Sequence, residues 1–433
     1  MEKAGRTNAE VSYQGESQRV AASQDHPGGA EFARKPLTAI LIGGDLCPFG
    51  PIAESFRDGD AGSIFHDLLP EFEAADYSLV NLECPLVARA SPIPKAGPTY
   101  GADPGCVSGL KAAKIRAVNL ANNHIMDHGA EGLRSTIDTC HLAGIACVGA
   151  GQDLGAANQL LIVRVGDERI AFHGMAEREF SIAGQAAWGA NPLDLIDFCG
   201  RIRASRDQYD RLIVLVHGGA ELFPYPSPRL QKTCRFLVEQ GADAVICQHS
   251  HCAGTYEVFR GAPIVYGQGN LIHDIPNADE LWYTGFLVRL ITRKETVSLE
   301  LEVVPYFQSR GRPGARRMAS SEESDFRDRM DLRNEALCDP ETLDALWTEF
   351  CKRQKPMYFS YLRAHGRLLR RLNGRLNFAE RLCSSRSLLV FLDLLRCDTH
   401  REVVETLLEE ATQSPHAHTT IGLVKVDPGR SIR

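Results

Sequence analysis

Polar groups able to hold a metal recur where apolar runs of this chain stop. Asp45 closes "AILIGGD", Asn81 and Glu83 close "YSLVNLE", and Asn122, Asn123 and His124 close "AVNLANNH". His217 closes "RLIVLVH", and His249 and His251 follow "DAVIC" in "DAVICQHSH". Imidazole, carboxylate and amide oxygen together suit Mn²⁺, Fe²⁺ or Zn²⁺ and are too rich in nitrogen for Ca²⁺. The set is large enough for two divalent ions, which in hydrolytic sites sit roughly 3.5–4 Å apart. His249 and His251 are two apart, so in extended backbone both imidazoles face one side. Asn123 and His124 are adjacent and should diverge, one toward an ion and the other toward a substrate.

Each group also has a plain structural reading. An Asp after two glycines is commonly a turn residue. Asn122 and Asn123 suit a helix N-terminus. A lone His217 can be a satisfied structural histidine. Cys47, Cys84 and Cys252 each lie beside one of these runs and read as small buried residues, with a soft metal ligand as the alternative. The ordered set, rather than any one member, points to a metal site, because ligands gather beyond the carboxyl ends of strands in α/β sheets.

The elements that must position these groups are short. Strands are expected at Leu37–Gly43, Tyr77–Leu82, Ala117–Ala121, Gln159–Val165, Arg169–His173, Arg211–His217, Ala244–Gln248 and Ile264–Gln268. Helical patterns fall between them, among them "AEGLRSTIDTCHLAG" and "PRLQKTCRFLVEQG", the latter closing at Gly241. This alternation predicts an α/β core. A strand meander over 284–311 follows, with a turn around Lys294–Glu295. Residues 1–35 are polar and aperiodic and are expected to be a disordered tail. The core domain is assigned to 36–310 and a helical C-terminal region to 320–433, with no internal repeat.

The 433 residues are 44% hydrophobic and 24% charged, as in an ordinary soluble globular protein. A net charge of -7 gives no whole-chain reason to expect nucleic acid. Thirteen scattered cysteines without a C-x-x-C pair favour free thiols and a reducing compartment. The N-terminus has no secretory h-region, and no stretch approaches the roughly 20 apolar residues of a membrane span. A cytoplasmic location is therefore expected. Lys352–Arg386 is markedly basic and reads as the solvated face of a helical region, or as a peripheral contact with an anionic polymer or membrane surface.

The order "GGD", "VNLECPL", "NLANNHIMDHG", "VHGGAEL" and "QHSHCAGTYEVFRGAPIVYGQGN" resembles the CapA (poly-γ-glutamate capsule synthesis, PGA_cap) family over about residues 37–275. That family is itself similar to calcineurin-like metallophosphoesterases. The resemblance implies a four-layer αββα metallophosphoesterase-like sandwich, here with a C-terminal helical extension. It implies Asp45, Glu83, Asn123, His217, His249 and His251 as metal ligands, with Asn81 either ligating or orienting a ligand. It gives His124 the role of general acid and makes Asp127 and Glu221 orienting residues. Two departures concern the pocket wall. Gly218 stands where the family usually has an aromatic residue after the histidine, and Cys247–Gln248 where glycine is common before H-x-H.

The activity implied is metal-dependent hydrolysis of an anionic substrate, either a phosphoester or an amide of an envelope polymer. The rival expectation is a non-catalytic, anionic-polymer-binding subunit of a capsule-synthesis complex. A degenerate member that keeps its ligands but not its turnover is the third.

Overall fold

Uninterrupted apolar runs are what strands covered on both faces require, and the described residues open with one. The computed structural model describes residues 38–292 apart from Ala96, then 298–363, 367–376, 378–384 and isolated positions up to 408. The tail over 1–35, the turn at Lys294–Glu295 and most of the helical pattern over 400–413 lie outside the described residues.

Strands β1 (Thr38–Cys47), β2 (Tyr77–Leu82), β3 (Ala117–Asn119) and β4 (Ala146–Val148) run parallel in that order. Helices α1 (Ala53–Asp58), α2 (Ala61–Phe65) and α3 (Leu69–Ala74) cross from β1 to β2. Helix α4 (Val107–Ala112) leads to β3, and α5 (Gly129–Leu142) to β4. After a two-residue strand β5 (Ala150–Gly151) and α6 (Leu154–Ala157) the chain enters a second sheet. That sheet comprises β6 (Leu161–Val165), β7 (Glu168–Ala176) and, past a short β8 (Gly189–Ala190), β9 (Arg211–His217), β10 (Ala244–Gln248), β11 (Tyr256–Phe259) and β12 (Ala262–Val265). Helices α7 (Leu195–Ser205) and α8 (Pro228–Glu239) make its crossovers.

The chain then returns to the first sheet. β13 (Asn270–His273) pairs parallel to the far end of β1, and β14 (Thr284–Thr292), β15 (Glu300–Gln308) and β16 (Ala315–Arg317) extend the other edge antiparallel. The pairing with β13 explains why β1 continues to Cys47 when its own pattern suggested an end at Gly43. β3 stops at Asn119, earlier than the apolar pattern suggested, because the Asn119 carboxamide oxygen accepts from the Ala121 amide at 3.1 Å and turns the chain.

Period-2 alternation sorts side chains into three cores. Ile40, Ile42, Leu79, Phe172, Ile213, Ile246 and Phe286 fill the space between the sheets. Leu41, Val80 and Val118 face the other way, onto Phe56, Ile64 and Leu133. Val214, Val216, Val245 and Ile264 pack on Phe198 and Leu237. Helix, sheet, sheet and helix thus form the four layers that the resemblance implied.

Helices α9 (Ser320–Ala336), α10 (Pro340–Arg363), α11 (Arg367–Leu376) and α12 (Phe378–Arg381) follow. The first two are built into the sandwich. Phe326 and Met330 enter the core between the sheets, and Leu337 and Leu343 enter the outer core. Phe326→Ala should therefore cost about 3–5 kcal/mol of global stability, seen as a lower urea midpoint for the whole unfolding transition. A midpoint equal to that of the unchanged protein would mean that α9 folds independently of the sheets.

Candidate metal centre

The site lies beyond the ends of β1, β2, β9 and β10. In β1 the pairing slips between Gly43 and Asp45 and again between Asp45 and Leu46. Such bulges re-aim a side chain at a sheet end. Gly44 makes the bend possible, since a Cβ there would strike the Gly269 carbonyl. Asp45, fully buried, then accepts from the Asn81 amide at 2.7 Å and from the His249 backbone N–H at 3.0 Å. His251 Nδ1 lies 3.5 Å from Asp45 Oδ2, and His217 Nδ1 lies 3.9 Å from Oδ1.

Glu83 occupies the centre. It is fully buried, and neither carboxylate oxygen has a hydrogen-bond partner. His217 Nε2 lies 3.3 Å from Oε1 and His251 Nδ1 lies 4.0 Å from Oε2. His217 Nε2 also meets Asn123 Oδ1 at 3.0 Å and His249 Nδ1 at 3.1 Å. Two overlapping donor sets result, Asp45–Glu83–His217 and Glu83–His249–His251, each compact enough for one ion. Asp45, Glu83, Asn123, His217, His249 and His251, widely separated in the chain, therefore converge.

His249 and His251 meet by a route other than the expected one. Neither is extended, since their φ angles are +98° and +51°. Left-handed backbone at non-glycine residues is costly and persists only where its surroundings impose it. Here the Asp45 carboxylate holds the His249 amide, and the Leu222 amide donates to the Ser250 carbonyl at 2.8 Å.

Asn81 sits among the ligands but turns its amide N–H toward Asp45 and His217, while its oxygen accepts from Asn119 at 3.2 Å and Asn122 at 3.3 Å. Asn122 holds the Leu82 carbonyl at 2.9 Å and accepts from the His124 amide, which makes it a turn residue. Gln248 links the two sheets by donating to the Gly43 carbonyl at 3.0 Å, so glycine is absent there for a reason. At Gly218 a Cβ would strike the Glu177 side chain, which packs against this position.

His124 is held apart from the ligands. Its Nδ1 lies 2.7 Å from Asp127 Oδ2, and its ring lies 4.3 Å from that of Tyr100. Asp127 also accepts from Lys95 Nζ at 2.6 Å and from the Tyr100 amide at 2.7 Å. Lys95, Tyr100, Glu177 and Glu179, the last accepting from Asn123 at 3.2 Å, were not legible as site residues in sequence, because no local pattern marks them. Glu221 is exposed and makes no hydrogen bond to these groups among the described residues, while its charge reaches Glu83, His251 and Tyr100.

Burial sets the protonation states. It pushes the Glu83 carboxyl well above the usual carboxylate range, with the Asp45 charge adding to the effect. It lowers His217 to about 4 and drives His249 well down, so both imidazoles are neutral near pH 7 and offer lone pairs. His251 is also buried, but Glu83 and Asp45 outweigh that and raise it. A neutral-imidazole and carboxylate set around an unsatisfied glutamate fits a divalent cation.

Fold and site together define an α/β/β/α sandwich with a buried imidazole–carboxylate cluster at its strand ends. The chain matches the family described as bacterial capsule synthesis protein PGA_cap over residues 39–275, and it belongs to that family. It is 32% identical over 218 residues to a probable polyglutamine synthesis accessory protein of Mycobacterium tuberculosis, a match covering 47% of this chain and 57% of the relative. It is 28% identical over 264 residues to the PGA biosynthesis protein CapA of Bacillus subtilis, covering 59% of this chain and 68% of the relative. The chain thus spans little more than half of the Mycobacterium protein's length. A hypothetical protein from Thermus thermophilus, known from a crystal structure, is 16% identical at a TM-score of 0.40, covering 62% of this chain and 98% of its own. No described helix is long and apolar enough to cross a membrane.

Proposed function

We propose that this protein is a metal-dependent hydrolase of the metallophosphoesterase type, acting on an anionic substrate. The observation that carries the reading is Glu83, a buried carboxylate with both oxygens lacking hydrogen-bond donors amid Asp45, His217, His249 and His251. Asp45, Glu83, Asn123, His217, His249 and His251 would hold one or two divalent transition ions, of Mn, Fe or Zn. A bound ion of this kind supplies a Lewis acid and a water of lowered pKa.

The remaining steps belong to the chain. Asn81 keeps Asp45 and His217 in place. Asp127 takes the Nδ1–H of His124, which fixes the tautomer and leaves Nε2 to carry a proton to the departing oxygen or nitrogen. Lys95 holds the far oxygen of Asp127 and keeps that carboxylate from swinging away. The names of the relatives point to polyglutamine, PGA or capsule synthesis, and the donor set to a phosphoester. Elemental analysis combined with a panel containing an aryl phosphate and polyglutamate chains decides. Bound transition metal with turnover of either substrate is the expected result, and metal-free protein inert toward both would end the reading.

One observation favours a second reading, a polymer-binding subunit of a capsule-synthesis complex. On α11, Leu368, Leu369, Leu372 and Leu376 are exposed in a segment that also carries Arg370, Arg371 and Arg375. That composition suits an anionic surface. Salt-sensitive polyglutamate binding without turnover would favour it.

A further inference from the structure

We infer that Cys47 and His273 complete a further and softer cation position that shares Glu83 with the centre described above. The inference rests on the metal-dependent reading and gives it a donor type that the family resemblance did not supply. β13 pairs with β1 so that His273 stands opposite Cys47. The Cys47 sulfur, a Glu83 carboxylate oxygen and a His273 ring nitrogen all lie within 4.8 Å of one another. All three residues are fully buried.

His273 is what turns proximity into a site. Neither of its ring nitrogens has a hydrogen-bond partner, although the residue is sealed from solvent. Its backbone is pinned, with the amide donating to Gln308 and the carbonyl accepting from Trp282 Nε1. The ring is walled by the rings of Phe49, Tyr100, His251 and Trp282, with centroids 4.8–5.5 Å away. A histidine kept only for packing would be expected to satisfy at least one nitrogen, since leaving a buried polar group unpaired costs about 1–3 kcal/mol. Here two such nitrogens and two such carboxylate oxygens occupy neighbouring positions.

Cys47 Sγ makes a weak contact with the Glu83 carbonyl at 3.5 Å and lies beside the Cys84 thiol. On binding a cation the thiol would release its proton to solvent and ligate as thiolate. Thiolate, imidazole and carboxylate together favour Zn²⁺, Fe²⁺ or Co²⁺ over Mg²⁺ or Mn²⁺. Glu83 belongs to all three donor sets, the arrangement expected of a carboxylate shared between ions.

Cobalt titration of the full-length apo-protein tests this without relying on activity. The expected result is a near-ultraviolet thiolate-to-cobalt charge-transfer band that grows as Co²⁺ binds. Cys47→Ser should lose the band, and His273→Phe, which keeps a ring in the aromatic box, should bind about one cobalt equivalent fewer than the unchanged protein. If His273→Phe does not fold, the band in the unchanged protein and its loss in Cys47→Ser decide alone. Cobalt bound without the band, or a band surviving Cys47→Ser, would overturn this inference and leave the metal-dependent reading standing. Full cobalt retention in folded His273→Phe would also overturn it. No cobalt bound in the unchanged protein would overturn both.

Discussion

Glu83→Gln is expected to abolish metal-dependent stabilisation and, at the same time, to make the metal-free protein more stable at neutral pH. The two effects share one cause. A buried carboxylate without hydrogen-bond donors is a liability until a cation arrives. With metal at a thousandfold excess over its Kd, the unchanged protein should gain about 4 kcal/mol, and the variant none. Without metal, glutamine removes a carboxyl whose pKa burial raises, so the variant should be the more stable of the two at neutral pH. Thermal melts with and without Zn²⁺ or Mn²⁺ measure both. A variant that still shows the full metal-induced rise in Tm would place the cation elsewhere.

The same variant has a pH signature. The Glu83 carboxyl titrates near 4.5 when unfolded but well above that when folded, because burial and Asp45 oppose its charge. Above about pH 4.5 the folded apo-protein therefore holds more protons than the unfolded chain, and its stability declines as pH rises. His217 acts in the opposite window. Its folded value of about 4 lies below the ordinary 6.5, so stability is lost as pH falls from 6.5 toward 4. Glu83→Gln should remove the decline toward higher pH and leave the acid limb in place.

His124→Ala should lower kcat by about 10²–10⁴-fold on whichever panel substrate is turned over, with metal content unchanged. His124 is bonded to Asp127 and belongs to none of the three donor sets around Glu83, so its loss need not release an ion. Asp127→Asn should produce a smaller fall, because the amide can still meet His124 but no longer balances the Lys95 charge at 2.6 Å. Unchanged turnover in His124→Ala would remove it from the chemistry. Loss of metal in that variant would make it a ligand instead.

Much of this centre was legible from residue types alone. Parallel strands buried on both faces must read as apolar runs, and a polar group that ends such a run stands out against them. Asp45, Glu83, Asn123, His217, His249 and His251 were marked in that way, and they do converge. The alternating strand and helix pattern likewise foretold the layered core.

What local pattern could not carry was set by pairing between distant segments. Whether Asn81 ligates or orients depends on Asn119 and Asn122 capturing its oxygen. His249 and His251 approach one another through left-handed backbone imposed by Asp45, where extended geometry had been expected. That Phe326 and Met330 of the C-terminal helical region enter the inter-sheet core is likewise written in no local pattern. His273 gave no hint of itself, because the register of β13 against β1 is what sets it beside Cys47. The chain by itself determined which chemical groups end its strands. Only the tertiary structure decided which of them share one buried volume, because sheet register is a property of two segments and is written in neither.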